Sequence, residues 1–84
     1  MEVRLTGKAE KEYEKLNQPM LDRINGGLDG LEKEPPVGDI RPLKGQHGIF
    51  RLKVGGYRIL FYDRDGIRWV FRIAPRGGVY GRLK

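Results

Sequence analysis

Apolar residues recur along the chain with two different spacings, and the change between them divides it into halves. At the N-terminus Val3 and Leu5 alternate with Glu2 and Arg4, which predicts a short strand over residues 2–5. Thr6 is a residue type that caps helices. Ala9, Tyr13 and Leu16 then recur at i, i+4 and i+7 with charges between them, predicting an amphipathic helix that runs to about Leu16. Lys8 and Glu12 form an i,i+4 pair on its outer face. Asn17-Gln18 break this helix, and Pro19 suits the first turn of a second. Met20, Ile24, Leu28 and Leu31 make the second apolar stripe, and the short connection predicts an antiparallel helix hairpin. Gly26, Gly27 and Gly30 lie inside the second helix. Each costs up to ~1 kcal/mol relative to alanine. Either the helix is weak and irregular there, or the small residues admit a close neighbour. Pro35-Pro36 end the helix, and residues 35–48 read as a Gly- and Pro-rich loop.

The second half has the period of strands. Residues 49–54 (IFRLKV), 57–62 (YRILFY) and 67–73 (IRWVFRI) are rich in aliphatic and aromatic residues and alternate. Gly55-Gly56 reads as a two-residue hairpin loop. Asp63-Arg64-Asp65-Gly66 reads as a type I turn with Gly66 as the bulge residue of a three-residue loop.

These loop lengths predict a register. The first loop pairs Val54 with Tyr57 and sets Lys53 opposite Arg58. The second pairs Asp63 with Ile67 and sets Arg58 opposite Arg72. One face then carries Phe50, Leu52, Val54, Tyr57, Ile59, Phe61, Trp69, Phe71 and Ile73 and packs on the helices. The other carries Arg51, Lys53, Arg58, Leu60, Tyr62, Arg68, Val70 and Arg72, with Arg76 continuing the alternation. The expected fold is α+β: an N-terminal strand and an antiparallel helix hairpin on one face of a small, mainly antiparallel, twisted sheet.

Charge sharpens this picture. The chain of 84 residues, read as a single domain over residues 1–84, has a formal net charge of +6. Residues 1–42 balance at −2 and residues 43–84 at +8, with Asp63 and Asp65 the only acids of the second half. Like charges set opposite each other destabilise a sheet by up to roughly 1 kcal/mol a pair. A face that needed only solubility would intersperse acids, so a cationic face points to a polyanion, most simply nucleic acid. The absence of cysteine excludes disulfides, thiolate metal sites and a cysteine nucleophile, and one histidine, His47, cannot build a multi-histidine metal site. No apolar run approaches the roughly 18 residues of a membrane helix, and no signal segment opens the chain, so a cytoplasmic protein is expected.

The basic face lacks paired carboxylates, a Ser-His-Asp set and metal-ligand spacing. RNA, however, brings its own nucleophile, the 2′-hydroxyl. A protein need only orient it, take its proton, stabilise the charged phosphorane and protonate the leaving oxygen. Arginines suit the stabilising role, and Lys53, crowded by arginines that disfavour its ammonium form, is the candidate base.

The run from Leu43 to Tyr80 resembles the RelE branch of the RelE/ParE toxin superfamily. The shared elements are the basic strand of Arg51 and Lys53, the Gly56-Tyr57-Arg58 opening of the next strand, the hydrophobic strand after it, and the closing Pro75-Arg76 with Tyr80. The resemblance implies the toxin of a type II toxin–antitoxin pair that enters the ribosomal A site and cleaves mRNA by 2′-hydroxyl attack. The product is a 2′,3′-cyclic phosphate and translation stops, with no metal and no cofactor. By position it implies Lys53 and Arg51 near the nucleophile, Arg58 on the transition-state phosphate, Arg76 beside the leaving group and Tyr80 orienting a base. His47 is an auxiliary candidate, and Arg68, Arg72 and Lys44 are candidate RNA contacts. The implied partners are a RelB-like antitoxin, the ribosome and mRNA. Arg51 departs from relatives that carry lysine there, and the glycines after Arg76 depart from those that end in a helix. Two alternatives stay open: a ParE-like inhibitor of DNA gyrase, and a catalytically silent RNA- or antitoxin-binding member of the fold.

Overall fold

A computed structural model describes residues 1–76. Glu2–Leu5 forms β1, and two helices follow, α1 (Gly7–Glu14) and α2 (Met20–Leu31). Four strands complete the chain: β2 (Asp39–Pro42), β3 (Phe50–Val54), β4 (Tyr57–Arg64) and β5 (Ile67–Pro75). They build one sheet in the order β1-β5-β4-β3-β2, with β1 parallel to β5 and every other pair antiparallel. The helices cover one face, so the α+β architecture is the expected one.

Local chemistry accounts for the elements. The Thr6 hydroxyl accepts the Ala9 N–H and caps α1. Tyr13 ties the helices together by donating its hydroxyl proton to Asn25 Oδ1 at 2.7 Å. The core beneath them is Ala9, Ile24, Leu31, Leu52, Ile59, Phe61, Val70 and Ile73, with Phe50 stacked on Phe61 at a centroid distance of 5.7 Å. Glu12 does not hold Lys8. It accepts from Arg72 Nε at 3.0 Å and from the Ile73 N–H at 2.8 Å, satisfying β5 where β1 no longer runs beside it.

Close approach explains two of the three helix glycines. A Cβ on Gly27 would lie 2.9 Å from Val54 Cγ2 and 3.2 Å from Leu52 Cδ2, so α2 touches the sheet there. One on Gly30 would strike the carbonyl of Val37, whose N–H donates to Gly30 O at 2.9 Å. The close neighbours are thus the chain's own strand and loop, and α2 is continuous through all three glycines.

Two expectations are corrected. The segment 35–48 is not all loop: Asp39–Pro42 pairs antiparallel with β3, with Pro42 at the outer edge of the sheet. The β4–β5 turn is also shorter than expected. Asp65 and Gly66, at φ 53° and 77°, form a two-residue loop, so Arg64 pairs with Ile67 and Asp63 with Arg68. A one-residue slip moves every side chain to the opposite face. Val70 and Arg68 therefore face the helices, while Trp69 lies across from Tyr62 on the open side. A bulge then restores the expected facing of Ile73: Phe61 pairs with Val70 but Leu60 with Arg72, leaving Phe71 as the extra residue.

Candidate functional site

The sheet face away from the helices gathers the candidate residues. Lys53 lies across from Arg58 in the β3–β4 ladder, as expected, and on Arg58's other side stands Ala74 rather than Arg72. Residues paired across a ladder share a face. In the β2–β3 ladder Arg41 lies across from Arg51 and Asp39 across from Lys53. The face is therefore not free of acid. Arg51 Nη1 donates to the Asp39 carbonyl at 3.2 Å and stands 3.7 Å from its carboxylate, and Arg41 Nε is also 3.7 Å from that carboxylate. Asp39 fixes the Arg51 guanidinium and leaves Lys53 exposed beside it.

Arg58 is the unusual member. Only 6% of it is exposed, and among the described residues its one hydrogen bond is from Nη1 to the Tyr57 carbonyl at 3.2 Å. Its Nε is buried without a partner, and among the described residues no carboxylate pairs with it. A buried charge that lacks a counter-ion costs several kcal/mol of lost hydration. The sheet holds this guanidinium in place without neutralising it.

Arg76 follows β5 and is exposed, and its N–H donates to the Gly56 carbonyl at 2.9 Å. That bond holds its backbone at the β3–β4 turn, the same end of the sheet as Lys53 and Arg58. Lys44 is exposed and lines a depression of about 420 Å³ with Arg41 and Arg51. Its loop is seated on the open face by Leu43 and Ile49, which pack against Leu60 and Ala74. His47 is exposed on the same loop, and among the described residues its side chain makes no hydrogen bond. Tyr80 lies outside the described residues.

Arg68 and Arg72 leave the basic face. Arg68 is 4% exposed; it donates through Nε and Nη2 to the Asp63 carboxylate at 2.8 and 2.9 Å and through Nη1 to the Leu31 carbonyl at 2.7 Å, and lies within 3.3 Å of Glu34. The hydrogen bond to Asp63 raises its basicity above the ordinary arginine value, against the lowering effect of burial. Arg72 is occupied by Glu12. Both serve the fold, joining the helix layer to the sheet. Turn length is the reason for Arg68: the register that set it on the open face assumed a loop one residue too long. The bulge returns Arg72 to the side of Leu60, and its ion pair with Glu12 is what takes it from the basic face.

Sequence reasoning overlooked Asp39 and Arg41 as members of the face. The signal was the alternation Asp39, Ile40, Arg41 closed by Pro42, a short run with an edge-strand proline. Among the described residues no three His, Cys, Asp or Glu side chains gather as metal ligands would, and no helix is long and apolar enough to cross a membrane.

Solved structures share this architecture. The archaeal RelE–RelB complex from Pyrococcus horikoshii OT3 has a chain 24% identical, with a TM-score of 0.74, covering 90% of this chain and 94% of that one. The RelB–RelE antitoxin–toxin complex from Methanococcus jannaschii gives a TM-score of 0.78 at 19% identity, covering 95% and 98%. The toxin–antitoxin complex RelBE2 from Mycobacterium tuberculosis gives 0.72 at 25% identity, covering 89% and 96%. No curated protein matches the sequence. The model of a family described as the ParE toxin of type II toxin–antitoxin systems, parDE, matches residues 3–80. Nearly the whole chain lies within that match, and the protein belongs to this family of toxins, with the RelE/ParE fold.

Proposed function

We propose that this toxin is a ribosome-dependent mRNA endoribonuclease that works without metal. The observation that carries the reading is Arg58, a positioned, nearly buried guanidinium with an orphaned Nε and no carboxylate among the described residues. A phosphate, above all one gaining charge in a transition state, supplies what that group lacks. Lys53 stands directly across the ladder, and Arg76 is tethered at the same end of the sheet.

In this reading Lys53 takes the proton of a 2′-hydroxyl, whose oxygen attacks the adjacent phosphorus. Arg58 stabilises the phosphorane, and the departing 5′-oxygen, with Arg76 beside it to offset its charge, takes a proton from water and leaves as a hydroxyl. The products are a 2′,3′-cyclic phosphate and a free 5′-hydroxyl. Arg51, held by Asp39, supplies positive potential rather than proton transfer, and Tyr80 orients a base. With 6% of Arg58 exposed, catalysis requires its cover to shift when RNA docks. The partner that silences the toxin is an antitoxin of the RelB type, the kind that accompanies the solved structural relatives.

A second reading, inhibition of DNA gyrase, is favoured by the family description, which names ParE toxins. It has no need of Lys53, Arg58 and Arg76 together. Induced expression in a bacterium, with primer extension on abundant mRNAs, separates the two. Cuts at defined codon positions that vanish in Arg58→Ala support the endonuclease. Intact mRNA together with loss of supercoiling activity in a gyrase assay supports the other.

A further inference from the structure

The β4–β5 register places aromatic rings on the same sheet face as the cations. Trp69 lies across from Tyr62, both are partly exposed, and together they line a cleft of about 430 Å³. Tyr62 leans on Phe71 at a centroid distance of 5.6 Å, which fixes its ring. Arg4 of β1 pairs with Trp69 from the other side, and Arg64 lines the cleft beside Tyr62. The main core lies on the opposite face, and neither ring is part of it or of the smaller cluster of Leu43, Leu60 and Ala74 on this side.

We infer that Trp69 and Tyr62 form a stacking platform for an unpaired nucleobase of the RNA strand that Arg58 engages. The inference rests on the reading of this face as RNA-facing and adds a second subsite to it. Charge argues for this occupant over a protein: the face presents Arg4, Arg41, Arg51, Lys53, Arg58 and Arg64 against Glu2, Asp39 and Asp65, the last of which lines the cleft beside Arg64. Aromatic rings between cations suit a single strand, whose bases stack while its phosphates pair. Tyr62 lies four residues along β4 from Arg58, roughly 13 Å at the strand rise, a span that a single strand covers in a few nucleotides. Base stacking of this kind accepts any base, so the platform grips the strand without setting the cleavage sequence.

The chain's single tryptophan is the reporter. The full-length protein is titrated with a short 2′-O-methyl RNA, which cannot be cleaved, and with an abasic strand of equal length at the same salt. The expected result is quenching of Trp69 emission by the RNA and not by the abasic strand. Tyr62→Ala, which keeps the reporter, should weaken RNA binding at least roughly fivefold while retaining a cooperative thermal transition. Trp69→Phe, which keeps a smaller ring, should weaken binding less than Tyr62→Ala does. Equal quenching by both strands, or unchanged RNA affinity in folded Tyr62→Ala, overturns the platform. Emission that changes with protein concentration alone also overturns it and assigns the rings to contact between copies. The ribonuclease reading fails separately: base-dependent quenching without mRNA cleavage removes that reading and leaves the platform, and cleavage without quenching does the reverse.

Discussion

Glu12 on α1 accepts the backbone N–H of Ile73 on β5 at 2.8 Å and Arg72 Nε at 3.0 Å with its other oxygen. One carboxylate thus serves a strand that has lost its neighbour and the arginine that follows the bulge. Truncating it leaves both donors without that partner. Glu12→Ala should lower stability by about 2 kcal/mol, and Glu12→Gln, which can still accept, by less. Urea unfolding measures both, and equal losses would show that charge rather than hydrogen bonding matters.

Arg68 offers a test of structure against RNA contact. Removing it leaves Asp63, Glu34 and the Leu31 carbonyl without their donor. Arg68→Ala should cost about 3 kcal/mol. The salt dependence of RNA binding should stay as in the parent, because this arginine meets no phosphate. Its basicity is raised by Asp63, so its stabilisation is complete below its ordinary titration range and is lost only as the pH climbs past the raised value. Between pH 6 and pH 9, roughly, it should add no slope to stability.

Arg58 should trade stability for activity. Arg58→Met removes a buried charge that has no counter-ion among the described residues and keeps much of the volume. Its unfolding free energy should rise by about 1 kcal/mol. Cleavage should fall by roughly 10²-fold or more in single-turnover assays on programmed ribosomes. A variant both less stable and inactive would mean that Arg58 is bound to something the fold needs.

Lys53→Arg separates charge from proton transfer. Ribosome binding should survive, because the cation remains. An arginine cannot give up its proton near neutral pH, so the rate should drop and the pH–rate profile should lose an inflection that the parent shows. Parent rate and parent profile would leave Lys53 as a cation only and move the search for the base to His47 or ribosomal RNA.

The helix glycines should answer oppositely. Gly26 has open space around it, so Gly26→Ala should stabilise by about 0.5–1 kcal/mol. Gly27→Ala drives a methyl into Val54 and Leu52 and should destabilise by about 1–3 kcal/mol. Thermal melts of the pair check this directly.

Where sequence reading succeeded, the deciding physics was local. The Gly55-Gly56 loop set Lys53 across from Arg58, and the spacing of Ala9, Ile24 and Leu31 found the helix faces. It failed where two local solutions compete. Asp63 to Gly66 fits a three-residue loop as readily as the two-residue one, and only the packing of Val70 under the helices decides between them. The partner of Glu12 was also out of reach, since Lys8 is its neighbour in sequence and Arg72 its neighbour in space. The candidate site was legible in part: Lys53, Arg58 and Arg51 were placed on one face, but Asp39 and Trp69 became its members only through pairing.

The parallel pairing of β1 with β5 joins nearly the two ends of the described chain: Glu2 lies beside Ile67 and Leu5 beside Val70. Synthesis delivers β1 well before its partner, so until β5 is made Val3 and Leu5 have no strand to dock against. The hairpin that holds Lys53 and Arg58 likewise waits for β5 before its sheet is complete. Contacts this distant in sequence form late and resist piecemeal folding. A chain lacking β5 therefore has neither its core nor a complete sheet, and the face that carries Lys53 and Arg58 is finished only once β5 has been made.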